Sequence, residues 1–139
     1  MSIPRDTARE CPVTVPTRAS IPGHRADVLF GADRSYGKGR LWVGGLGDGG
    51  VIRAGQDFVA PDGSVRWKLG WWREVPGRLE ISGRLLDDPA PPLRAVVPAG
   101  YGELGFQSSG VSFPSEGCWK LTGRVGSTVL TFVVSVVRT

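Results

Sequence analysis

The stretch Cys118-Trp119-Lys120-Leu121-Thr122-Gly123-Arg124-Val125, then Gly126-Ser127, then Thr128 through Arg138 decides the fold class. In its first part Trp119, Leu121 and Val125 alternate with Lys120, Thr122 and Arg124, a two-residue period that puts one face in a core and the other in water. Gly126-Ser127 then predicts a two-residue hairpin turn, because glycine accepts the positive φ such turns require. The second part, Thr-Val-Leu-Thr-Phe-Val-Val-Ser-Val-Val-Arg, is apolar on both faces and predicts a central or doubly covered strand. Its apolar run, Val129 to Val137, is interrupted by Thr131 and Ser135 and is too short for a membrane-spanning helix.

Working backwards, the same period recurs. In Arg78 to Leu85, the residues Leu79, Ile81, Gly83 and Leu85 alternate with Arg78, Glu80, Ser82 and Arg84. Ser64 to Leu69 sets Val65, Trp67 and Leu69 on one face against Arg66 and Lys68. Pro61-Asp62-Gly63 ahead of it is a strong turn: proline presets one dihedral and glycine supplies the next. Shorter strands are expected at Arg40–Val43, Val51–Arg53, Asp57–Ala60 and Leu93–Val97. An irregular strand, with a bulge near its glycines, is expected within Glu103–Phe113. No capped segment of ten residues shows a 3.6-residue period. The expected fold is therefore all-β: an immunoglobulin-like antiparallel sandwich of about eight short strands. Residues 40–139 form the sandwich. Residues 1–39, punctuated by Pro4, Pro12, Pro16 and Pro22, form an extended segment over it, with Val28-Leu29-Phe30 as a short anchor and a turn at Tyr36–Gly39.

Bulk properties agree with one folded domain of 139 residues. The 21 glycines and 11 prolines are not periodic and fall between apolar runs, as turns do. The net charge is +4, and the 17 basic residues, 14 of them arginine, are dispersed along the chain. Neither a nucleic-acid arm nor a polybasic membrane segment is legible in that pattern, so no nucleic-acid partner is expected. Ser2 to Thr17 carries charges and prolines where a secretory leader has an apolar core. The chain is accordingly read as cytoplasmic, or as a mature form beginning at a restart Met.

The two cysteines bear on that choice. Cys11 and Cys118 are too far apart for a redox pair, and no third cysteine or nearby histidine makes a zinc site. Two unrelated buried thiols are one reading. A single disulfide tying the N-terminal segment to a late strand is the sharper one, and it places the protein in an oxidising, extracytoplasmic compartment.

Several stretches resemble an uncharacterised bacterial secreted or lipoprotein-like family. They are Trp71-Trp72-Arg73, Gly77-Arg78-Leu79-Glu80-Ile81-Ser82-Gly83-Arg84 and Pro91-Pro92-Leu93. Further on come Gly100-Tyr101-Gly102, Gly105-Phe106-Gln107-Ser108-Ser109-Gly110, Phe113-Pro114-Ser115-Glu116-Gly117-Cys118-Trp119 and Thr122-Gly123-Arg124-Val125-Gly126, with Cys11-Pro12-Val13-Thr14 near the start. The turn and strand at Phe113–Trp119 also resemble the final hairpin of bacterial immunoglobulin-like envelope domains. The resemblance implies a location at the envelope or outside the cell and carries no activity with it.

No catalytic constellation is legible. His24 is the only histidine, and Gln107-Ser108-Ser109-Gly110 lacks the first glycine and strand-to-helix context of a nucleophile elbow. Gly44–Gly50 is glycine-rich but has no phosphate-binding lysine. Asp48, Asp62, Asp87 and Asp88 read as turn residues, and no metal or other cofactor is expected. Glu80, Glu103 and Glu116 leave open a small hydrolase with carboxylates from distant strands. The tryptophans offer more. Trp42, Trp67 and Trp119 read as core. Trp71 and Trp72 are adjacent, so on a strand they point to opposite faces, and the one outside the core either stands at the surface or is covered by a bulge, a second layer or the N-terminal segment. With Arg73 and Tyr101 they form the candidate ligand-binding group, a platform for a sugar ring or a protein partner. Three functions follow: a non-catalytic envelope or secreted accessory module, a carbohydrate- or small-ligand-binding module using exposed aromatics, and a small hydrolase. The partners in view are proteins or polysaccharides of the cell envelope.

Overall fold

The computed structural model describes residues 11–16 and 35–139. His24, the Val28–Phe30 anchor and Pro4 and Pro22 lie outside the described residues. The rest is nearly all β: nine strands in two sheets. The strands are β1 (Ser35–Lys38), β2 (Leu41–Gly44), β3 (Val51–Ala54), β4 (Val65–Arg73), β5 (Leu79–Leu85), β6 (Arg94–Val96), β7 (Gly105–Phe113), β8 (Gly117–Val125) and β9 (Thr128–Arg138).

One sheet has the order β1-β2-β4-β7-β6 and the other β3-β9-β8-β5. The order β2-β4-β7-β6 against β9-β8-β5 is the A-B-E-D and G-F-C order of the seven-stranded immunoglobulin sandwich. Every pairing is antiparallel except β3 with β9, which run parallel from Val51 opposite Ser135 to Ala54 opposite Arg138. The sheets face each other through the alternate residues of their strands. Leu41, Val43, Val65, Leu69, Trp71, Val111 and Phe113 come from the first, and Ile52, Leu79, Trp119, Leu121, Leu130, Phe132 and Val134 from the second. Aromatic pairs stitch the layers: Trp71 lies 5.9 Å from Phe132 and Phe113 lies 5.5 Å from Trp119, both tilted.

The last hairpin forms as its alternation predicts, with Val125 paired to Thr128 and Gly126 at φ 63° in the turn. In β9, Leu130, Phe132, Val134 and Val136 are buried on the core side. The edge of β9 ahead of β3 is covered as well: the Thr14 backbone N–H donates to Val133 O at 2.8 Å, and Val133 N–H donates to Thr14 Oγ1 at 2.9 Å. Residues 11–16 thus continue along the flank of β9, which β3 pairs only from Ser135 onward.

Four local expectations need correction. Tyr36–Lys38 is strand, not turn, so the sheet begins at Ser35 rather than Arg40; the turn is at Gly39, with φ 69°. Gly37 joins that strand because its partner Trp42 lays its ring where a side chain would stand. Gln56–Phe58 is a 3-10 turn, and only Val59 bridges to Val65. The run starting at Val65 does not stop at Leu69 but continues through Gly70 to Arg73. Finally, β7 is not bulged: its nine residues pair one for one with β4, from Gly105 opposite Arg73 to Phe113 opposite Val65. Pairing on both flanks, to β4 and to β6, holds a sequence of weak strand propensity in regular register.

Candidate functional site

Register decides which face each tryptophan takes. Trp72 stands opposite Trp42 on one side and Phe106 on the other, and Trp71 opposite Val43 and Gln107. Trp71 is fully buried, its Nε1 donating to Ser109 Oγ at 2.9 Å, while Ser109 Oγ donates onward to Leu69 O at 3.0 Å. Arg73, also on the inward face, is 2% exposed. Its guanidinium donates to three carbonyls of the loop before β7, Tyr101 at 3.0 Å, Gly102 at 2.9 Å and Leu104 at 3.3 Å, and to that of Gly105, the first residue of β7, at 3.2 Å. Burial lowers its pKa from the ordinary arginine value, with Glu103 acting in the opposite sense. Arginine remains a cation throughout, so the loop carbonyls act as its solvent.

The four residues expected to form one platform therefore part company. Trp71 and Arg73 turn into the sandwich. Trp72 and Tyr101 lie on the outer side, both beside Phe106: Trp72 by register, Tyr101 by an edge-on ring contact at 5.9 Å. Trp72 is half-buried and its Nε1 donates to Glu74 Oε2 at 3.1 Å. Cys11 and Cys118 are joined, with Sγ–Sγ 2.02 Å and Cα–Cα 5.7 Å. Cys118 is out of phase with Trp119 and Leu121, so the bond lies on the outer side of β8.

The carboxylates considered for hydrolysis are dispersed. Glu116 accepts from the Arg138 backbone N–H at 2.7 Å and pairs with its guanidinium at 3.1 Å. Glu80 points outward from β5. Glu103 lines a depression of about 370 Å³ with Arg73 and Gln107, which holds neither of the other two. Among the described residues no group of three or more histidine, cysteine or acidic side chains is placed to hold a metal.

A larger concavity lies elsewhere. Two adjoining depressions, of about 380 and 610 Å³, share Phe58, Trp67 and Lys68. Trp67 extends from β4 and donates its Nε1 to Gly45 O at 2.8 Å, which fixes the ring. Phe58, at the end of the 3-10 turn, is 47% exposed and meets that ring at 5.0 Å and 53°. Exposed phenylalanine normally costs solvation, and here the ring is held in place by an aromatic neighbour rather than buried. The smaller depression adds Asp48, Val51 and Arg53. The larger spreads over the outer face of β4, β7 and β6, between Arg66, Ser112, Arg94 and the 67% exposed Val96, with Gly110 as its floor.

Sequence reasoning missed this site. Phe58 was assigned to a strand, and Trp67 to the core, against which it does pack while half-buried beside the depressions; the alternation of Arg66 and Lys68 did mark the outer face of β4. The neighbours from β6 and β7 are distant in sequence and meet only through pairing.

No family model matches the chain, and no curated protein matches it. Among solved structures, one described as "Crystal structure of the S-layer protein SbsC domains 4 and 5" is similar over 62% of this chain at 16% identity, with a TM-score of 0.38. The chain spans about half, 47%, of that structure.

Proposed function

We propose that the protein is a non-catalytic, extracytoplasmic binding module of immunoglobulin-like build, whose ligand site is the double depression around Phe58 and Trp67. The observation that carries this reading is the Phe58–Trp67 pair, an exposed ring braced at 5.0 Å by a hydrogen-bonded one at the meeting point of two concavities. A rigid, part-exposed aromatic surface gives contact area at little cost in side-chain entropy, and the apolar face of a sugar or similar ring fits it. The compartment is supported by the Cys11–Cys118 bond, since disulfides persist where the surroundings are oxidising. Among the described residues no helix is long and apolar enough to cross a membrane.

The test is affinity electrophoresis of the protein through gels containing soluble envelope or extracellular polymers, neutral and charged, alongside Phe58→Ala. At least one polymer is expected to retard the parent protein. The variant, with unchanged thermal stability, is expected to bind about tenfold more weakly, the equivalent of about 1.4 kcal/mol. Equal retardation of variant and parent, or no retardation by any polymer, overturns the assignment.

A further inference from the structure

The larger depression carries more than an aromatic edge. Across its floor the register places Arg66 opposite Ser112 and Ser112 opposite Arg94, one row over three strands. The adjoining row is Lys68, Gly110 and Val96. All six point away from the core, because their neighbours Trp67, Val111 and Ala95 point toward it. Strands are spaced about 4.8 Å apart, so the Cα atoms of Arg66 and Arg94 are about 10 Å apart, and Lys68 follows Arg66 by about 7 Å along the strand. None of the three cations makes an ion pair or side-chain hydrogen bond among the described residues. No carboxylate lines this depression, although Asp62 is close enough to Arg66 and Arg94 to feel their charge. Asp62 is itself committed to the Ser64 backbone N–H and hydroxyl.

Resting on the binding-module reading above, we propose that the larger depression seats an acidic polysaccharide. A linear glycan bearing carboxylate or phosphate groups would lie across β4, β7 and β6. Its anions would meet Arg66 and Arg94, and a sugar face would meet Phe58. Three observations select this occupant. Arg66, Lys68 and Arg94 are spread over the depression with no carboxylate lining it, so a chain with repeating charges meets several cations at once. The guanidinium fork matches carboxylate and phosphate oxygens in pairs. The depression lies on a sheet face, and the backbone N–H and C=O groups between β4, β7 and β6 beneath it are already spent in their ladder. A peptide therefore gains no strand pairing there, and recognition falls to side chains that suit hydroxyls and anions. The open, side-chain-free floor at Gly110 leaves room for a chain to pass but encloses no tunnel for an acyl chain.

The experiment measures binding of the disulfide-intact protein to polygalacturonate, alginate and a phosphomannan, with dextran as the neutral chain. Galacturonate monomer, poly-glutamate and phosphatidylglycerol vesicles serve as the competing classes. At least one acidic glycan is expected to bind, and to weaken as salt is raised, since exposed charges are screened. The double variant Arg66→Gln/Arg94→Gln, with an unchanged melting temperature, is expected to lose at least about tenfold in affinity, while galacturonate monomer fails to compete. The proposal is overturned if the double variant binds as the parent does, if the monomer competes as well as the polymer, or if poly-glutamate or vesicles bind and no glycan does. Should dextran bind as tightly as the acidic chains and Phe58→Ala weaken both, the acidic-ligand inference fails while the binding module stands. If no polymer of either kind binds, both fail.

Discussion

The Trp71 indole, on β4 of one sheet, packs directly over Gly123, on β8 of the other, with no room between them for a methyl group. The approach of the two layers at this point thus depends on the one residue type without a side chain. Trp71 fills the space, and its Nε1 is satisfied by Ser109 at 2.9 Å.

Gly123→Ala must therefore push the indole or the strand aside. A destabilisation of about 1–3 kcal/mol is expected, the usual range for overpacking a tight core. Urea unfolding followed by tryptophan fluorescence checks it; a variant as stable as the parent would show that the layers can part without cost. Ser109→Ala, by contrast, keeps the volume and removes the acceptor, leaving a buried indole N–H unpaired at about 1–3 kcal/mol.

Arg73 organises the Tyr101–Gly105 loop through four carbonyl contacts from one planar group. Lysine keeps the charge but has three donors on a flexible stem and cannot reproduce the fork. Arg73→Lys is expected to speed hydrogen exchange in the loop and its cleavage by protease at exposed Leu104 while the sheets stay protected. Unchanged exchange in the loop would contradict its assigned role.

The Cys11–Cys118 bond closes a loop with a sequence separation of 107. In the chain-entropy account, losing such a bond costs up to about 4–5 kcal/mol, less any structure retained in the reduced unfolded chain. Cys11→Ser/Cys118→Ser should lower the urea midpoint accordingly. Its exchange protection should fall first at Val133, whose backbone N–H and O are both held by Thr14. An unshifted midpoint would mean that residues 11–16 are held without the bond.

Glu116 is kept below its ordinary carboxyl pKa of 4.5, chiefly by the Arg138 backbone N–H and then by its guanidinium. A depressed pKa in the folded state stabilises above the unfolded value, and that stability is lost as pH falls through the folded one. Parent and Glu116→Gln should differ most above about pH 5 and converge in stronger acid. Both side chains are about two-fifths exposed, at 41% and 42%, so screening keeps the difference within about 1 kcal/mol. Melting temperature against pH for the two proteins gives the answer; a gap that grows in acid would reverse the sign.

How much of this was legible in the sequence follows from what each segment needed for its conformation. The strands β5 and β8 were readable because burial of one face imposes a two-residue period on side-chain polarity, and β9 because a short run apolar on both faces suits a covered strand. The turn at Pro61–Gly63 was readable because its dihedrals demand particular residues, and Asp62 and Gly63, at φ 88°, supply them. By contrast, β7 was read as irregular because Gly105, Ser108, Ser109 and Gly110 carry no alternation of their own. Its regularity is imposed by partners on both sides. Phe58 was assigned to a strand on local apolarity, whereas the chain curls there into a 3-10 turn and leaves the ring outside.

The sequence by itself determined the all-β class, the final hairpin and the alternating faces, because these depend on residues two positions apart or on the chemistry of a single turn. The statement that Trp71 and Trp72 point opposite ways belongs to it as well. Which of the two enters the core was decided only by tertiary structure: it depends on the register of β4 against β2 and β7 and on Gly123 in the facing sheet. The depression at Phe58, Arg66 and Arg94 is likewise tertiary, since strand pairing sets side by side residues that no local period connects.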